Sequence, residues 1–314
     1  MQHKNIKRLI KFKLAHKLVK ASQRIILPGF EGLSLYIVTK FFFHGLHNGT
    51  INMRASSLSF SFFLALFPSI IFIFTLIPYI PIEHFQDSLL SQLQNVLPES
   101  AFEATEGTIN DIIKNQRGGL LSIGFISALY FSTNGFNAMI SAFNETYHQM
   151  ESRNALMQRL VSLFMVIVNL LMIGSGITLI IFSEIGLHKI IHTDKVLYYF
   201  ILLGKWIVLF GLSFCLISFN YYFGPKRKKG WRFFSAGSTF ATIFIIIASL
   251  MFSYYVNNFG NYNKLYGSIG TLIVIMMWIY INSLILLLGF DLNASIHSAK
   301  RNSGKLLKIK SLNS

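Results

Sequence analysis

The sequence predicts an all-α, polytopic membrane protein with six transmembrane helices and additional amphipathic helices at the membrane surface. Of its 314 residues, 53% are hydrophobic and only 13% are charged, whereas soluble domains are about 25% charged. Its mean hydropathy is +0.53. Several apolar runs reach the roughly 20 residues that a helix needs to cross a bilayer. The single cysteine, Cys215, excludes a disulfide within the chain.

Six apolar stretches are the predicted spans, and a helix satisfies the backbone of each one internally. They are Ala55–Pro81, Leu120–Phe143, Met157–Ser183, Leu197–Phe223, Phe233–Asn257 and Gly267–Phe290. The chain thus divides into a basic amphipathic segment (1–54), a transmembrane domain (55–296) and a basic tail (297–314). Residues 82–119 form an acidic outer loop, which we expect to be a helical hairpin. Within 1–54, residues 6–18 and 33–46 are the expected surface helices.

The distribution of charge predicts the direction of the spans. With six spans, 22 of the 28 Lys and Arg residues fall on one side, which the positive-inside rule makes cytoplasmic. Both termini then lie in the cytoplasm. The net charge of +16 therefore needs no nucleic-acid partner. We expect the basic segments Lys226–Lys229 and Lys305–Lys310 to contact anionic lipid head groups at the inner leaflet.

One polar face runs along the second predicted span. Its members recur every three or four residues and are Ser127, Tyr130, Asn134, Asn137, Ser141 and Asn144. Amides are costly in hydrocarbon, so this face must meet other helices or water. Two interpretations stay open, a cavity lined by this face and Asn282 of the sixth span, or helix packing. Small residues in the first and fifth spans favour packing there.

Two charged residues lie at the inner ends of spans. Arg54 precedes the first span and Asp291 follows the sixth. They are expected to form a charge pair near the interface, and the alternative is that Asp291 carries a proton or a cation. A pairing of Asp291 with Arg54 is therefore a prediction that the structure can test.

Enzyme motifs are absent from the sequence. It contains no phosphate-binding glycine loop, no HExxH, no GxSxG and no CxxC. Glu184, His188 and His192 have helical spacing that could bind zinc, but three residues related by spacing alone are a weak signal. We expect no enzyme activity, no cofactor and no metal.

Three segments resemble the YihY/BrkB family of bacterial inner-membrane proteins. They are "RASSLSFSFFLALFPSIIFIF" (54–74), "STNGFNAMISAFNETYH" (132–148) and "YYVNNFGNYNKLYGSIGTLIVIMMWIYINSLILLLGFDLNASI" (254–296). The matching motif residues are Pro68, Tyr262, Tyr266, Gly267, Gly270, Trp278, Gly289, Asp291 and Asn293. The chain departs from the family pattern at Phe290 and Asp291, where the family usually has Ala and Glu.

The resemblance covers about residues 30–298 and implies a location in the bacterial inner membrane. It also implies a role in the cell envelope, and transport of a lipid or solute has been suggested for the family. Our expected function is a transporter or exporter, with a cavity lined by the first, second, fifth and sixth spans and an outer mouth near Tyr262 and Tyr266. The alternatives are a non-transporting envelope scaffold and, less favoured, a membrane enzyme, including the family's older ribonuclease label.

Overall fold

The computed structural model describes most of the chain as helix. The described residues are 20, 22–26, 29–48, 50–79, 107, 110–112, 115–146, 153–190, 195–226, 232–258 and 268–312. Within the helices, the described side chains exclude those of 45–48, 181, 184–190, 195, 257–258, 268–269 and 302–312. The structure contains no β-strand in these ranges, which confirms the predicted all-α class for this part of the chain.

Seven helices of ten or more residues are present in the described ranges. They are α1 (Leu35–Asn48), α2 (Ile51–Leu76), α3 (Gly118–Asn144), α4 (Ala155–Ile190), α5 (Lys195–Phe223), α6 (Ala236–Asn258) and α7 (Ser268–Leu312). A short 3₁₀ turn, Ile77–Tyr79, extends α2. Helix α5 ends at the predicted residue. Helix α7 continues well beyond the predicted end at Phe290, so most of the tail prolongs the last helix.

Five of these helices are long and apolar enough to cross a membrane. The corresponding segments are Ile51–Tyr79, Ala155–Ile180, Val196–Phe223, Ala236–Val256 and Gly270–Arg301. The second predicted span forms a 27-residue helix, α3, but does not belong to this set. Polar residues such as Asn134 and Asn137 lower its hydropathy. The protein is therefore a membrane protein with several apolar helices.

Helices α2 to α7 form a closed ring in chain order. Each helix packs against the next one, and α7 returns to pack against α2. Helices α2 and α3 are antiparallel, because the Phe62–Phe136 and Phe72–Phe125 ring contacts progress in opposite directions along the two helices. Helix α1 lies outside the ring against α7. We call the end of the ring at which α2 begins the basic end, because Arg54, Arg153, Arg159 and Arg232 lie there.

The buried core concentrates towards the basic end. Its fully buried members include Leu58, Phe143, Met165, Leu287 and Phe290, which come from the four ring helices α2, α3, α4 and α7. Large apolar side chains cover the outside of the ring along its length. A soluble protein would not tolerate so much exposed apolar surface, so this surface is suited to lipid.

A tight turn attaches the segment before α1 to the ring. Gly29 and Gly32 have φ of +86° and +83°, and Glu31 has φ of +53°, a region that L-residues other than glycine rarely adopt. The carboxylate of Glu31 contacts Lys300 and Arg232. Phe30 and Val38 pack with Ile296 and Ala299 in a second small core. The predicted surface helix at 33–46 is therefore a helix, and one side of it packs on α7.

Several sequence predictions fall outside the described residues. These are the helix at 6–18, most of the outer hairpin at 82–119, and Tyr262, Tyr266 and Gly267. Near the end of the hairpin segment, Asp111 accepts hydrogen bonds from Arg117 (2.7 Å) and Asn115 (2.8 Å). These bonds, the one from Arg117 foremost, hold the pKa of the Asp111 carboxyl below its usual range.

Candidate functional site

A buried ion pair joins the first and last ring helices at the basic end. The Nη2 of Arg54 on α2 lies 2.7 Å from the Oδ2 of Asp291 on α7. The Nη1 of Arg54 lies 3.3 Å from Oδ1 of the same carboxylate and also donates to the carbonyl oxygen of Ala142 at 2.8 Å. The two side chains are only 2% and 9% exposed. The guanidinium therefore connects α2, α3 and α7 through one planar group.

The pairing of Arg54 with Asp291 is the one that the sequence suggested. One donor of the Arg54 guanidinium makes no hydrogen bond, because its Nε is buried and has no partner among the described residues. The Oδ1 of Asn144 is also buried without a partner in this part of the chain. Whether Asp291 couples the protein to an ion stays a prediction.

Aromatic rings close the bundle beside the ion pair. The rings of Phe143 and Phe290 stack with centroids 4.2 Å apart. The ring of Tyr221 meets both of them edge-on, and its hydroxyl donates to the carbonyl oxygen of Leu286. Phe290 is the residue at which the chain departs from the family pattern, and its ring fills the space between α3, α5 and α7.

Two family-motif residues, Gly289 and Asn293, hold α6 against α7. A Cβ atom added to Gly237 would lie 2.0 Å from the carbonyl oxygen of Gly289, and one added to Gly289 would lie 2.5 Å from the Tyr221 hydroxyl. Only glycine therefore permits this crossing. The Oδ1 of Asn293 accepts from the backbone N–H of Gly237 (2.8 Å), and its Nδ2 donates to the Ser235 hydroxyl (2.8 Å). Helices α6 and α7 are therefore closely packed and hydrogen-bonded to each other next to the ion pair.

The polar face of α3 contacts the start of α4. Gln158 donates from its side-chain amide to Asn137 (2.8 Å) and to Ser141 (3.1 Å). Arg159 donates to the Oδ1 of Asn134. The Cζ of Arg159 also lies over the ring of Tyr130, 5.4 Å from its centroid. Four members of the predicted face are therefore engaged by two side chains of one neighbouring helix.

The other predicted residues are placed as follows. Ser127 is half-buried, and Asn282 donates to the carbonyl oxygen of Trp278 within its own helix (2.8 Å). Pro68 lies inside α2, which continues past it. Gly270 is buried, and Trp278 is 41% exposed.

Four polar partners were not predicted from the sequence. Gln158 and Arg159 are two of them. The other two are Asn169 on α4 and Asn220 on α5, which exchange reciprocal amide hydrogen bonds of 3.0 and 2.9 Å in the buried core. The available signal was a single Asn in the middle or inner part of each of the third and fourth predicted spans, since an amide needs a partner in a membrane.

A groove separates α2 from α7 away from the ion pair. It has a volume of about 480 Å³ and a predominantly apolar lining. The lining residues are Ser56, Ser59, Phe63, Leu272, Ile273, Met276, Met277 and Tyr280. The groove thus involves the first and sixth predicted spans, and none of the predicted polar residues of α3 lines it.

Metal ligands are not clustered in the described part of the chain. No three His, Cys, Asp or Glu side chains come together there. Glu184, His188 and His192, whose spacing was a weak signal for zinc, lie outside the described side chains, and the expected absence of a metal stays a prediction.

Comparison with known proteins adds the family relationship. A family model described as virulence factor BrkB matches residues 42–310. A ribonuclease-like protein of Bacillus subtilis, YfkH, is 36% identical over 262 residues, covering 82% of this chain and 93% of the relative. A UPF0761 membrane protein of Haemophilus influenzae is 24% identical over 251 residues, covering 78% and 90%. No solved structure matches the chain. The chain belongs to the BrkB family of membrane proteins.

Proposed function

We propose that this protein is a six-span transporter of the bacterial inner membrane that moves a lipid or another amphiphilic solute. The observation that carries the proposal is the groove of about 480 Å³ between α2 and α7. Its apolar lining is suited to an acyl chain, and the hydroxyls of Ser56, Ser59 and Tyr280 offer polar contacts.

Helix α3 is the proposed sixth span. Its contacts with α2 extend from Arg54 and Ala142 to Phe72 and Phe125. From Arg54 to Phe72, α2 advances by 18 residues and rises about 27 Å at ~1.5 Å per residue, close to the roughly 30 Å of the hydrocarbon core. A helix that accompanies a membrane-crossing partner over this length must cross with it. The polar face of α3 is compatible with this because α4 satisfies it.

Six crossings and the charge distribution support cytoplasmic termini. With α3 as a span, the segments that fall on the side at which α2 begins carry 22 of the 28 Lys and Arg residues of the sequence. Positively charged segments remain in the cytoplasm, and the basic segments Lys226–Lys229 and Lys305–Lys310 would contact anionic lipid heads there.

Lipid translocation in reconstituted vesicles tests this function. Purified protein is placed in liposomes that contain a fluorescent phospholipid, and the fraction accessible to an external quencher is followed over time. Ser56→Trp places a large ring in the groove. Ser57→Trp is the matched control, because Ser57 is also exposed on α2 but does not line the groove. We expect translocation with the wild type and with Ser57→Trp, and its loss with Ser56→Trp.

Two results would count against transport. Equal rates in protein-containing and protein-free vesicles would favour the alternative of an envelope scaffold that moves no lipid. Equal rates in the two tryptophan variants would exclude the groove as the path.

A nuclease is the less favoured function. The ribonuclease-like name belongs to the Bacillus subtilis relative. Metal-dependent phosphodiester cleavage uses clustered carboxylates, whereas Asp291, the buried carboxylate of this site, is bound by Arg54. We propose that the protein has no such activity. Metal-dependent RNA cleavage by the pure protein, lost in Asp291→Asn, would contradict this.

A further inference from the structure

Among the described residues, no carboxylate compensates the charge of Arg159. It is half-buried in the first two turns of α4. It donates to Asn134 and lies over the ring of Tyr130. Within the described part of the chain, the ion pairs involve other basic residues, and no carboxylate lies within 4 Å of Arg159. Arg54, in contrast, has Asp291.

Exposed apolar side chains border the polar contact between Arg159 and α3. Large exposed side chains flank it on both helices, at Ile126 (65% exposed), Leu156 (76%), Met157 (55%) and Leu160 (55%). A guanidinium at such a surface is costly unless an anion or water meets it. The anions that a bilayer supplies at the end of an apolar helix are the phosphates of its lipids.

The free hydrogen-bonding groups of Arg159 and Asn134 are donors. The side-chain amide of Gln158 already donates to Asn137 and Ser141. The Oδ1 of Asn134 accepts from Arg159, so its Nδ2 group remains to donate. A guanidinium has no acceptor, and neither its Nε nor its Nη2 has a partner among the described residues. A ligand here must therefore supply several acceptor oxygens and negative charge.

We propose that Arg159 and Asn134 form a binding site for the phosphate of an anionic phospholipid at the α3–α4 seam. The phosphate accepts from the guanidinium and from the Asn134 amide, and the acyl chains lie along the exposed faces of α3 and α4. The N-terminus of α4 adds a favourable partial positive charge. Because no described carboxylate lies within 4 Å of Arg159 to offset its charge, the site favours anionic over zwitterionic lipids. It does not rest on the proposed transport function and lies on a different seam from the α2–α7 groove.

Native mass spectrometry of the full chain in detergent tests the site. The probes are phosphatidylglycerol and phosphatidylcholine of equal chain length, each titrated against the wild type and Arg159→Gln. Arg301→Gln is the matched control, because Arg301 is exposed and is without a carboxylate partner in the described ranges. We expect Arg159→Gln to weaken phosphatidylglycerol binding about tenfold to a hundredfold, the range for lost hydrogen bonds to a charged group. Arg301→Gln should leave it within about twofold.

Further variants and a competition with inorganic phosphate distinguish a specific site from other causes of weaker lipid binding. Asn134→Ala keeps the charge and should weaken binding less than Arg159→Gln, and a shared thermal unfolding midpoint shows that the variants are folded. If Arg159→Gln does not fold, Arg159→Lys replaces it, and the loss of the planar fork should still weaken binding severalfold. Inorganic phosphate at the lipid concentration should not displace the lipid.

Four results would overturn the proposal. They are unchanged phosphatidylglycerol binding in Arg159→Gln or its lysine replacement, equal binding of the two lipids, an equal loss in Arg301→Gln, and displacement by inorganic phosphate. The third result would indicate non-specific attraction to the basic end, and the fourth a site for the free ion.

Discussion

Replacing one member of the Arg54–Asp291 pair should destabilise the protein more than replacing both members with apolar residues. We consider three variants, Arg54→Met, Asp291→Leu and the double variant. Each single change leaves the other group in a site where its side chain is 2% or 9% exposed. Loss of one partner of a buried pair typically costs about 3–5 kcal/mol, whereas replacement of both by apolar residues is often neutral.

The two single variants should differ in the size of their effect. Asp291→Leu leaves a guanidinium that cannot lose its charge and keeps only the Ala142 carbonyl oxygen as an acceptor. Arg54→Met leaves a carboxyl group, which can become neutral by binding a proton. We therefore expect Asp291→Leu to be the more destabilising single change.

Thermal unfolding in detergent, followed by intrinsic tryptophan fluorescence, measures these differences. A loss of about 3–5 kcal/mol corresponds to a fall in the unfolding midpoint on the order of 10 °C for a chain of this size. The double variant should recover most of that fall. If the double variant is as unstable as the sum of the single ones, the two groups do not act as a pair. If Asp291→Leu has no effect, the pair does not contribute to stability.

Two further contacts give predictions of the same kind. Gly289→Ala should lower the unfolding midpoint, because its Cβ would lie 2.5 Å from the Tyr221 hydroxyl and overpacking costs about 1–3 kcal/mol. Gly174→Ala is the control, because a Cβ there meets nothing within 4 Å; it should leave the midpoint unchanged or raise it, since alanine favours the helix. If both variants change the midpoint in the same direction, the close-contact argument is refuted. Asn169→Leu should destabilise by roughly 1–3 kcal/mol through the unpaired amide that remains. Adding Asn220→Leu should restore much of that loss in the same melting experiment, and additive losses would contradict the reciprocal bond.

The positions of the helices could be predicted because each depends on the summed hydrophobicity of one local stretch of sequence. Five predicted spans correspond to apolar helices, and the end of α5 at Phe223 was predicted to the residue. The end of α7 was not, because a helix that leaves the membrane can continue without any change in its backbone hydrogen bonds. The charged residues after Phe290 indicate where the apolar stretch ends and give no information about where the helix ends.

The sequence by itself determined that this chain is a helical membrane protein, that Asn134 and Asn137 need partners, and that Asp291 needs a cation. Burial of amides and carboxylates in an apolar medium is costly. Polar residues that recur at helical spacing within an apolar stretch therefore indicate that these side chains need partners. Only the tertiary structure decided that Gln158 and Arg159 meet the α3 amides, that Gly237 crosses Gly289, and that Arg159 keeps unused donors. These pairings depend on the rotation and register of one helix against another. Such relations are fixed by the packing of whole surfaces and have no signature in a single segment.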